Sequence, residues 1–328
     1  MKPAVSSPAA SVPARDYGQR GALIDPASLM RIRSLELRAK VVVEGFWTGL
    51  HRSPYHGFSV EFTEYRQYSP GDDPRYLDWR LYARSDRYYI KKFEDETNLR
   101  CHLLVDNSRS MSYGSLAYTK GQYANTLAAT LAYFLFLQGD ATGLLTFDEG
   151  LRDFLPARHR KGHLRQLMLA LEKPAGGTST DLDTPLRHAA EIVTKRGLLI
   201  LISDLLAPVA SLERNLISLT ARGHQVQLLQ ILDPAELRFD FKKATVFEDL
   251  ETSRDLYVDP ALIRKDYLDQ VGVHNQSIRS LCQRLGVQHD CFSTERPLEL
   301  ALFDFLRAQL RRSGGVKRSG TRPTRGPG

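Results

Sequence analysis

The chain has 328 residues, of which 42% are hydrophobic and 25% charged, so it can bury a sizeable core and has the composition of a globular protein. Its longest apolar run, Leu127 to Leu137, is too short to span a bilayer. The net charge of +7 lies almost entirely in the last 18 residues, which carry six basic residues and no acid, so the body offers no basic groove for nucleic acid.

The two ends of the chain have the composition of flexible segments. Residues 1–24 are rich in proline, alanine and serine, which predicts a disordered arm. They contain no apolar stretch of the kind found in signal peptides, so we expect a cytoplasmic protein. Residues 311–328 form the basic tail, for which we also predict disorder and at most weak contact with nucleic acid or anionic lipid.

Residues 25–98 predict a helix followed by a β-rich segment. Asp25-Pro26 combines a helix-capping residue with proline at the first helical position, and apolar residues then recur at helical spacing over residues 25–48. Two strand-like runs follow, at 59–68 and 87–96. Between them lies the sequence YSPGDDPRYLDWR, in which three aspartates stand among arginines and aromatic residues.

Residues 99–310 alternate between strand-like and helical patterns, which is typical of an α/β protein with a doubly wound, mostly parallel sheet. The apolar run GLLILIS has the composition of a central strand that is covered on both faces. We predict strands at 99–106, 141–147, 151–155, 197–203, 224–232 and 286–293, helices near 118–138, 163–172, 183–195, 209–221, from 260 onward and 298–312, and a hairpin of 244–250 with 255–259.

The strongest chemical signal is VDNSRSM, residues 105–111, which follows an apolar strand and precedes a helix. In a doubly wound sheet this order places Asp106, Ser108 and Ser110 at the carboxyl edge, where ligands bind. Thr178 lies in the later loop GGTST, and Asp204 ends the strand GLLILIS. Because the first and fourth strands of such a sheet are neighbours, the three segments are predicted to converge.

Carboxylates and hydroxyls are hard oxygen ligands, which favour a divalent cation such as Mg²⁺, Mn²⁺ or Ca²⁺ over zinc. The same residue types are also common in turns and at helix N-caps, where they bind no metal. Residue type and spacing therefore leave both interpretations open.

Taken together, VDNSRSM, GGTST and LISD resemble the metal-ion-dependent adhesion site (MIDAS) of von Willebrand factor A domains, over about residues 99–310. The resemblance implies that Ser108, Ser110 and Thr178 bind the ion, most often Mg²⁺, through their hydroxyls. It also implies that Asp106 binds directly or through water and that Asp204 acts mostly through water. In such domains the ion typically bridges two proteins, because an acidic side chain of the partner completes its coordination.

A second group of residues stands in and just after YSPGDDPRYLDWR. Carboxylates matched with arginines usually form ion pairs that fix a loop, so we predict a structural clasp or a partner-facing surface here. Catalysis is disfavoured, because guanidinium groups keep carboxylates ionised whereas a general acid must hold its proton. The residues of this predicted clasp are Asp72, Asp73, Arg75, Asp78, Trp79, Arg80 and Arg84.

The run from Gly57 to Glu96 is similar to the signature of a bacterial family named domain of unknown function 58. The resemblance implies a working partner, a MoxR-type AAA+ ATPase of a kind thought to act as a chaperone in complex assembly. The matching positions are Gly71, Asp72, Asp73, Arg75, Asp78, Trp79, Ala83, Arg84, Lys92, Phe93 and Glu94, with Leu77 in place of the usual isoleucine.

The function that we predict is a non-catalytic, metal-dependent protein-binding adaptor. One alternative is a Mg²⁺-dependent hydrolase that uses Asp106 and Asp204. A second alternative is weak nucleic-acid binding through the basic tail, residues 311–328.

Overall fold

A six-stranded sheet in the order β10-β7-β6-β3-β4-β5 forms the centre of the protein. The computed structural model describes residues 23–51, 64–67, 89–92, 99–173, 182–241, 245–248 and 255–315. The strands are β1 (Glu64–Gln67), β2 (Tyr89–Lys92), β3 (Arg100–Asp106), β4 (Ala141–Phe147), β5 (Leu151–Arg158), β6 (Leu198–Ser203), β7 (Gln225–Leu232), β8 (Thr245–Glu248), β9 (Asp255–Val258) and β10 (Gln288–Ser293). Strand β5 is antiparallel to β4 and the other neighbours are parallel, which confirms the predicted doubly wound, mostly parallel sheet.

The helices alternate with these strands as the sequence pattern predicts. They are α1 (Pro26–Met30), α2 (Leu35–His51), α3 (Lys120–Leu137), α4 (Lys161–Leu171), α5 (Asp183–Ile192), α6 (Val209–Ala221), α7 (Pro234–Arg238), α8 (Pro260–Leu285) and α9 (Leu298–Gly315). Helix α9 continues a few residues past its predicted end, and the short helix α7 is not among the sequence predictions.

The direction of strand addition reverses between β3 and β6. From β3 the chain adds β4 and β5 on one side, then returns to the other side of β3 to add β6, β7 and β10. Strands β3 and β6 pair in parallel from Cys101 with Leu198 to Val105 with Ile202. Their carboxyl ends therefore lie side by side at the topological switch point, where ligands bind in open α/β sheets.

Helices cover both faces of the sheet. On one face, α1, α2, α3, α4 and α9 pack over side chains such as Leu103. On the other face, α5, α6 and α8 pack over side chains such as Leu104. Consecutive strand residues point to opposite faces, so a strand buried on both sides needs a nearly continuous apolar run, as β6 has and as β3 has apart from His102.

The region predicted as a helix over residues 25–48 forms two helices. Asp25 caps α1 as predicted, because its carboxylate accepts a hydrogen bond from the Ser28 nitrogen at 2.9 Å. Ser34 then begins α2 by accepting from the Leu37 nitrogen at 3.2 Å, and Glu172 accepts from the Leu35 nitrogen at 3.2 Å. This second set of capping contacts explains the break between the helices.

Two short antiparallel pairs complete the described strands: β1 with β2, and β8 with β9. They fall within runs for which strands are predicted. Within the described segments, no helix combines the length and the apolar character needed to cross a membrane. The disordered tail predicted for 311–328 begins too early, because residues 311–315 belong to helix α9. The predicted N-terminal arm up to residue 22 and the tail from residue 316 lie outside the described residues, so the disorder predicted for them stays a prediction.

Candidate metal centre

The carboxyl ends of β3 and β6 bring together most of the residues predicted to bind metal. Asp106 ends β3, Ser108 and Ser110 stand in the turn that follows, and Asp204 comes directly after β6. Ser110 is half-buried and the other three are fully buried. Thr178 belongs to residues 174–181, outside the described residues, so its part in the site stays a prediction.

The hydroxyl groups of Ser108 and Ser110 face one another. Their Oγ atoms are 3.1 Å apart, and the Ser108 hydroxyl does not cap the 3₁₀ turn Arg109–Ser112 that it precedes. Oxygens bound to octahedral Mg²⁺ at about 2.1 Å lie about 3.0 Å from their nearest neighbours. The serine pair therefore has the separation of two adjacent ligands, and the same distance suits a hydrogen bond between the two hydroxyls.

Asp106 is a buried carboxylate that accepts a hydrogen bond at each oxygen. Its Oδ1 accepts from the Ser108 nitrogen at 2.9 Å, and its Oδ2 accepts from the Ser203 hydroxyl at 2.5 Å. Burial, and then the charge of Asp204, raise the pKa of Asp106 to about 6, although the bonds from Ser203 and Ser108 act in the opposite direction. A positive charge next to Asp106 would therefore stabilise its ionised carboxylate.

Asp204, in contrast, is paired with a buried cation. The Nζ atom of Lys120 donates to Asp204 Oδ2 at 2.8 Å and to Glu236 Oε1 at 2.6 Å. The side chains of Lys120 and Asp204 are both fully buried. Burial by itself would lower the pKa of Lys120, but the charges and hydrogen bonds of the two acids outweigh it and raise that pKa overall. Lys120 is therefore a charged ammonium inside the site.

The corner between β7 and α7 connects this ion pair to the segment after the serine turn. Asp233 and Glu236 form a capping box at the start of α7, in which Glu236 Oε2 accepts from the Asp233 nitrogen at 2.8 Å. Asp233 also accepts from the Ser115 nitrogen at 2.9 Å and from the Ser115 hydroxyl at 2.5 Å. Segments that follow three different strands are thus held together by buried acids.

The backbone immediately after Asp204 is held in an uncommon conformation. Leu205 has a φ of 57°, in the left-handed region that residues with a Cβ rarely adopt. The Ser203 hydroxyl accepts from the Leu205 nitrogen at 3.0 Å, and the His274 ring lies 2.9 Å from the Leu205 carbonyl oxygen. Strain of this kind concentrates at functional sites, which agrees with a binding role for this edge of the sheet.

Four contributors to the site are absent from the sequence predictions: Lys120, Ser203, Asp233 and Glu236. Two signals could have pointed to them. Lys120 occupies the first turn of α3, where the helix dipole disfavours positive charge, so a nearby acid was to be expected. The sequence DPAE directly after the apolar strand β7 has the pattern of a capping box.

The residues present fit a hard divalent cation. Asp106, Asp204 and Glu236 outnumber the single charge of Lys120 by two, and the buried Asp233 next to Glu236 adds a further negative charge, so the site favours a cation. Within the described ranges, no three histidine, cysteine, aspartate or glutamate side chains gather as a metal site. A cation here would therefore depend on the hydroxyls of Ser108 and Ser110, as a Mg²⁺-type oxygen site allows and a zinc site does not.

The strand order and the Asp-x-Ser-x-Ser turn at the switch point define a von Willebrand factor A-like protein. The family match covers residues 64–277, well over half of the chain. The chain belongs to the family described as "Protein of unknown function DUF58". The predicted clasp, from Asp72 to Arg84, falls within this match but lies outside the described residues.

Mycobacterial proteins are among the relatives. Uncharacterized proteins of Mycobacterium tuberculosis and Mycobacterium bovis are 29% identical over 283 residues, which cover 84% of this chain and 88% of each relative. An uncharacterized protein of Mycobacterium avium is 24% identical over 156 residues, 47% of this chain and 90% of that protein. The similarity to the first two extends over nearly their whole length.

Solved structures with some similarity include BatB from Bacteroides thetaiotaomicron, with a TM-score of 0.47 and 14% identity over 65% of this chain and 99% of that one. An aerotolerance-related membrane protein from Bacteroides fragilis has a TM-score of 0.44 and 13% identity over 64% of this chain and 99% of its own. The SpRpn10 VWA domain has a TM-score of 0.37 and 12% identity, over 61% of this chain and 92% of that domain. These similarities are low, and the fold assignment rests on the strand order of the sheet.

Proposed function

We propose that this chain is a cytoplasmic, non-catalytic adaptor that binds another protein through a divalent cation. The proposed site consists of Asp106, Ser108, Ser110 and Thr178 as ligands and of Asp204, which acts mostly through water, with Mg²⁺ as the preferred ion and Mn²⁺ or Ca²⁺ as substitutes. The observation that carries the proposal is the pair of hydroxyls on Ser108 and Ser110, 3.1 Å apart beside a buried carboxylate at the switch point.

The balance of charge supports binding of an acidic partner. A divalent cation here would attract a carboxylate of the partner protein, because the Ser108 and Ser110 hydroxyls proposed to bind it carry no charge. Ser110 is half-buried whereas Asp106, Ser108 and Asp204 are fully buried, so Ser110 marks the side from which a partner would approach. The hydroxyls leave the ion more receptive to an anion than carboxylate ligands would.

The surface beside the site also supports contact with a protein. Leu206, two residues after Asp204, exposes 49% of its surface. Its main-chain nitrogen donates to Asp204 Oδ1 at 3.3 Å, so this apolar side chain projects from the backbone that closes the site. A partner whose acidic residue reaches the cation would meet an apolar contact next to it.

For the partner itself we propose a MoxR-type AAA+ ATPase or its client. Support for this partner comes from the family signature around Asp72 and Trp79. The adaptor would then present a client to the ATPase during assembly or maturation of a protein complex.

A hydrolase that uses Asp106 and Asp204 is the less favoured function. Both oxygens of Asp106 accept hydrogen bonds, and one oxygen of Asp204 is bound by Lys120. Carboxylates engaged in this way are poorly placed to attack a substrate.

The test is capture of a purified MoxR-type ATPase by this protein at constant Mg²⁺. The double variant Ser108→Ala/Ser110→Ala is compared with wild type, so that the Mg²⁺ of the ATPase itself is never removed. We expect wild type to retain the ATPase and the double variant to lose at least tenfold in affinity. The matched control is Ser218→Ala/Ser280→Ala, two exposed serines on α6 and α8, which should bind like wild type.

Two results would contradict the proposal. Equal capture by wild type and the folded double variant would show that the site has no part in binding. Turnover in a panel of phosphate-ester and peptide substrates that disappears in the double variant would favour the hydrolase.

A further inference from the structure

We propose that Lys120 is a positioning residue that holds Asp204 out of direct contact with the bound cation and limits the negative charge of the site. This inference rests on the proposed metal-dependent function. It gives a role to a fully buried charge that neither the MIDAS resemblance nor the sequence pattern assigns.

The first argument is the direction in which the Asp204 side chain is held. Its Oδ2 accepts from Lys120 Nζ at 2.8 Å, and its Oδ1 accepts from the Leu206 nitrogen at 3.3 Å. The Asp204 carbonyl oxygen in turn accepts from Gln230 at 3.1 Å. Because both carboxylate oxygens and the backbone are engaged, Asp204 is fixed toward Lys120.

The second argument is the cost of placing a lysine at this position. Lys120 is the first residue of α3, where the positive end of the helix dipole repels an ammonium group. Its side chain is also fully buried, which disfavours the charged form. The ion pairs with Asp204 and Glu236 are the main contacts that offset these two penalties, with a further contact to the face of the Tyr113 ring at 5.9 Å.

The third argument is the charge that the site presents. Asp106, Asp204, Asp233 and Glu236 carry an excess of three negative charges with Lys120 in place and of four without it. A larger excess would bind a divalent cation more tightly, but would draw Asp204 into its coordination and close a position that water or a partner carboxylate could use. Lys120 therefore lowers the affinity of the site for the metal ion but keeps one coordination position open for water or a partner carboxylate.

Three variants test this inference with Mn²⁺ as the probe. Lys120→Met removes the ammonium, Glu236→Gln leaves Lys120 paired with Asp204 alone, and the combination restores the wild-type charge excess while freeing Asp204. Mn²⁺ affinity is measured by electron paramagnetic resonance. The number of exchangeable waters on the bound ion is measured by water-proton relaxation, which a purely structural role for Lys120 would not change.

We expect Lys120→Met and the double variant to bind Mn²⁺ about tenfold more tightly than wild type, with one water fewer on the ion. We expect Glu236→Gln to bind it about tenfold more weakly, because the site becomes less negative. The matched control is Lys40→Met/Glu44→Gln, which removes an exposed pair at 3.8 Å on α2 and should leave both quantities unchanged.

The possible failures are distinguishable. If Lys120→Met does not fold, the double variant and Glu236→Gln decide the question. If folded variants keep the wild-type affinity and water count, the role of Lys120 is overturned while metal binding stands. If wild type binds no Mn²⁺ at all, both this inference and the proposed function are overturned.

Discussion

Asp106 and Asp204 belong to the same predicted site but have different electrostatic surroundings. Asp106 receives hydrogen bonds from neutral groups only, Ser203 and the Ser108 nitrogen, among the bonds described for it. Asp204 is paired with the ammonium of Lys120. Without a metal ion, the charge of Asp106 therefore destabilises the folded protein, whereas Asp204 is half of a buried ion pair.

The two aspartates should consequently respond to neutralisation with opposite signs. In EDTA, Asp106→Asn should raise the free energy of unfolding by about 1–3 kcal/mol, because a buried charge that Asp204 repels is removed. Asp204→Asn should lower the free energy of unfolding by about 2 kcal/mol, because it leaves Lys120 with Glu236 alone. Urea unfolding of both variants and of wild type measures the two changes.

Saturating Mg²⁺ provides the control for this pair. The ion should stabilise wild type and leave Asp106→Asn almost unchanged, since a ligand stabilises only a fold that binds it. If Asp106→Asn in EDTA lowered the free energy of unfolding by as much as Asp204→Asn does, Asp106 would be a structural residue.

The buried His102 makes the stability of the protein depend on pH in the acid range. His102 is buried on β3 opposite Gly143 of β4. A Cβ atom at position 143 would lie 2.7 Å from the His102 ring, so a glycine there leaves room for the ring. Burial, then the charges of His224 and Arg100, lower the pKa of His102 to about 4. The folded protein thus holds this ring neutral, while in the unfolded chain it takes up a proton near pH 6.5.

A group whose pKa is lowered on folding in this way costs stability as the pH falls from about 6.5 to about 4. We expect His102→Leu to reduce the slope of unfolding free energy against pH by about 1 kcal/mol per pH unit between pH 5 and 6. Chemical unfolding at several pH values measures the slope, and the exposed His159→Leu is the control. An unchanged slope in a folded His102→Leu protein would contradict the neutral, buried ring.

At the scale of elements, three helices of the described chain begin with the same Asp-Pro pair. Asp25, Asp233 and Asp259 each precede a proline at the first helical position and accept a hydrogen bond from a main-chain nitrogen of the first turn. Only Asp233 is fully buried, and only it also holds Ser115 in the segment that leads to Lys120. The same local motif is therefore a simple cap in two helices and a tertiary contact in the third.

This difference predicts unequal costs for the same substitution. Asp259→Ala should lose about 1 kcal/mol, the contribution of an exposed cap on α8. Asp233→Ala should lose about 2–4 kcal/mol, because it removes the cap and also the two hydrogen bonds that Ser115 donates to this charged carboxylate. Thermal or urea unfolding compares the two; equal losses would show that the bond from Asp233 to Ser115 adds nothing.

For the whole molecule, the sheet could be predicted because its signals are local. The apolar runs of β3 and β6 identify central strands without knowledge of their neighbours. The break between α1 and α2 could not be predicted, since Glu172, which helps to begin α2, lies 137 residues away from Leu35. Short-range capping signals show where a helix can begin, and long-range contacts decide where it does.

In the candidate metal centre, too, local signals predict some residues but not those that long-range contacts bring in. Asp106, Ser108, Ser110 and Asp204 are predicted because a parallel sheet brings the ends of neighbouring strands together. Lys120 reaches Asp204 across 84 residues and Glu236 across 116, and no spacing rule links a helix start to two different strand ends. The ion pair that sets the charge of the site therefore emerges only from the packed structure.

The most direct test of the account is anomalous diffraction from crystals of the protein soaked in Mn²⁺. We predict one peak at the carboxyl ends of β3 and β6, within bonding distance of the hydroxyl oxygens of both Ser108 and Ser110, and no peak there in Ser108→Ala/Ser110→Ala. Saturated wild-type crystals with no peak at this position, or with Mn²⁺ bound only elsewhere, would contradict a metal-dependent binding site.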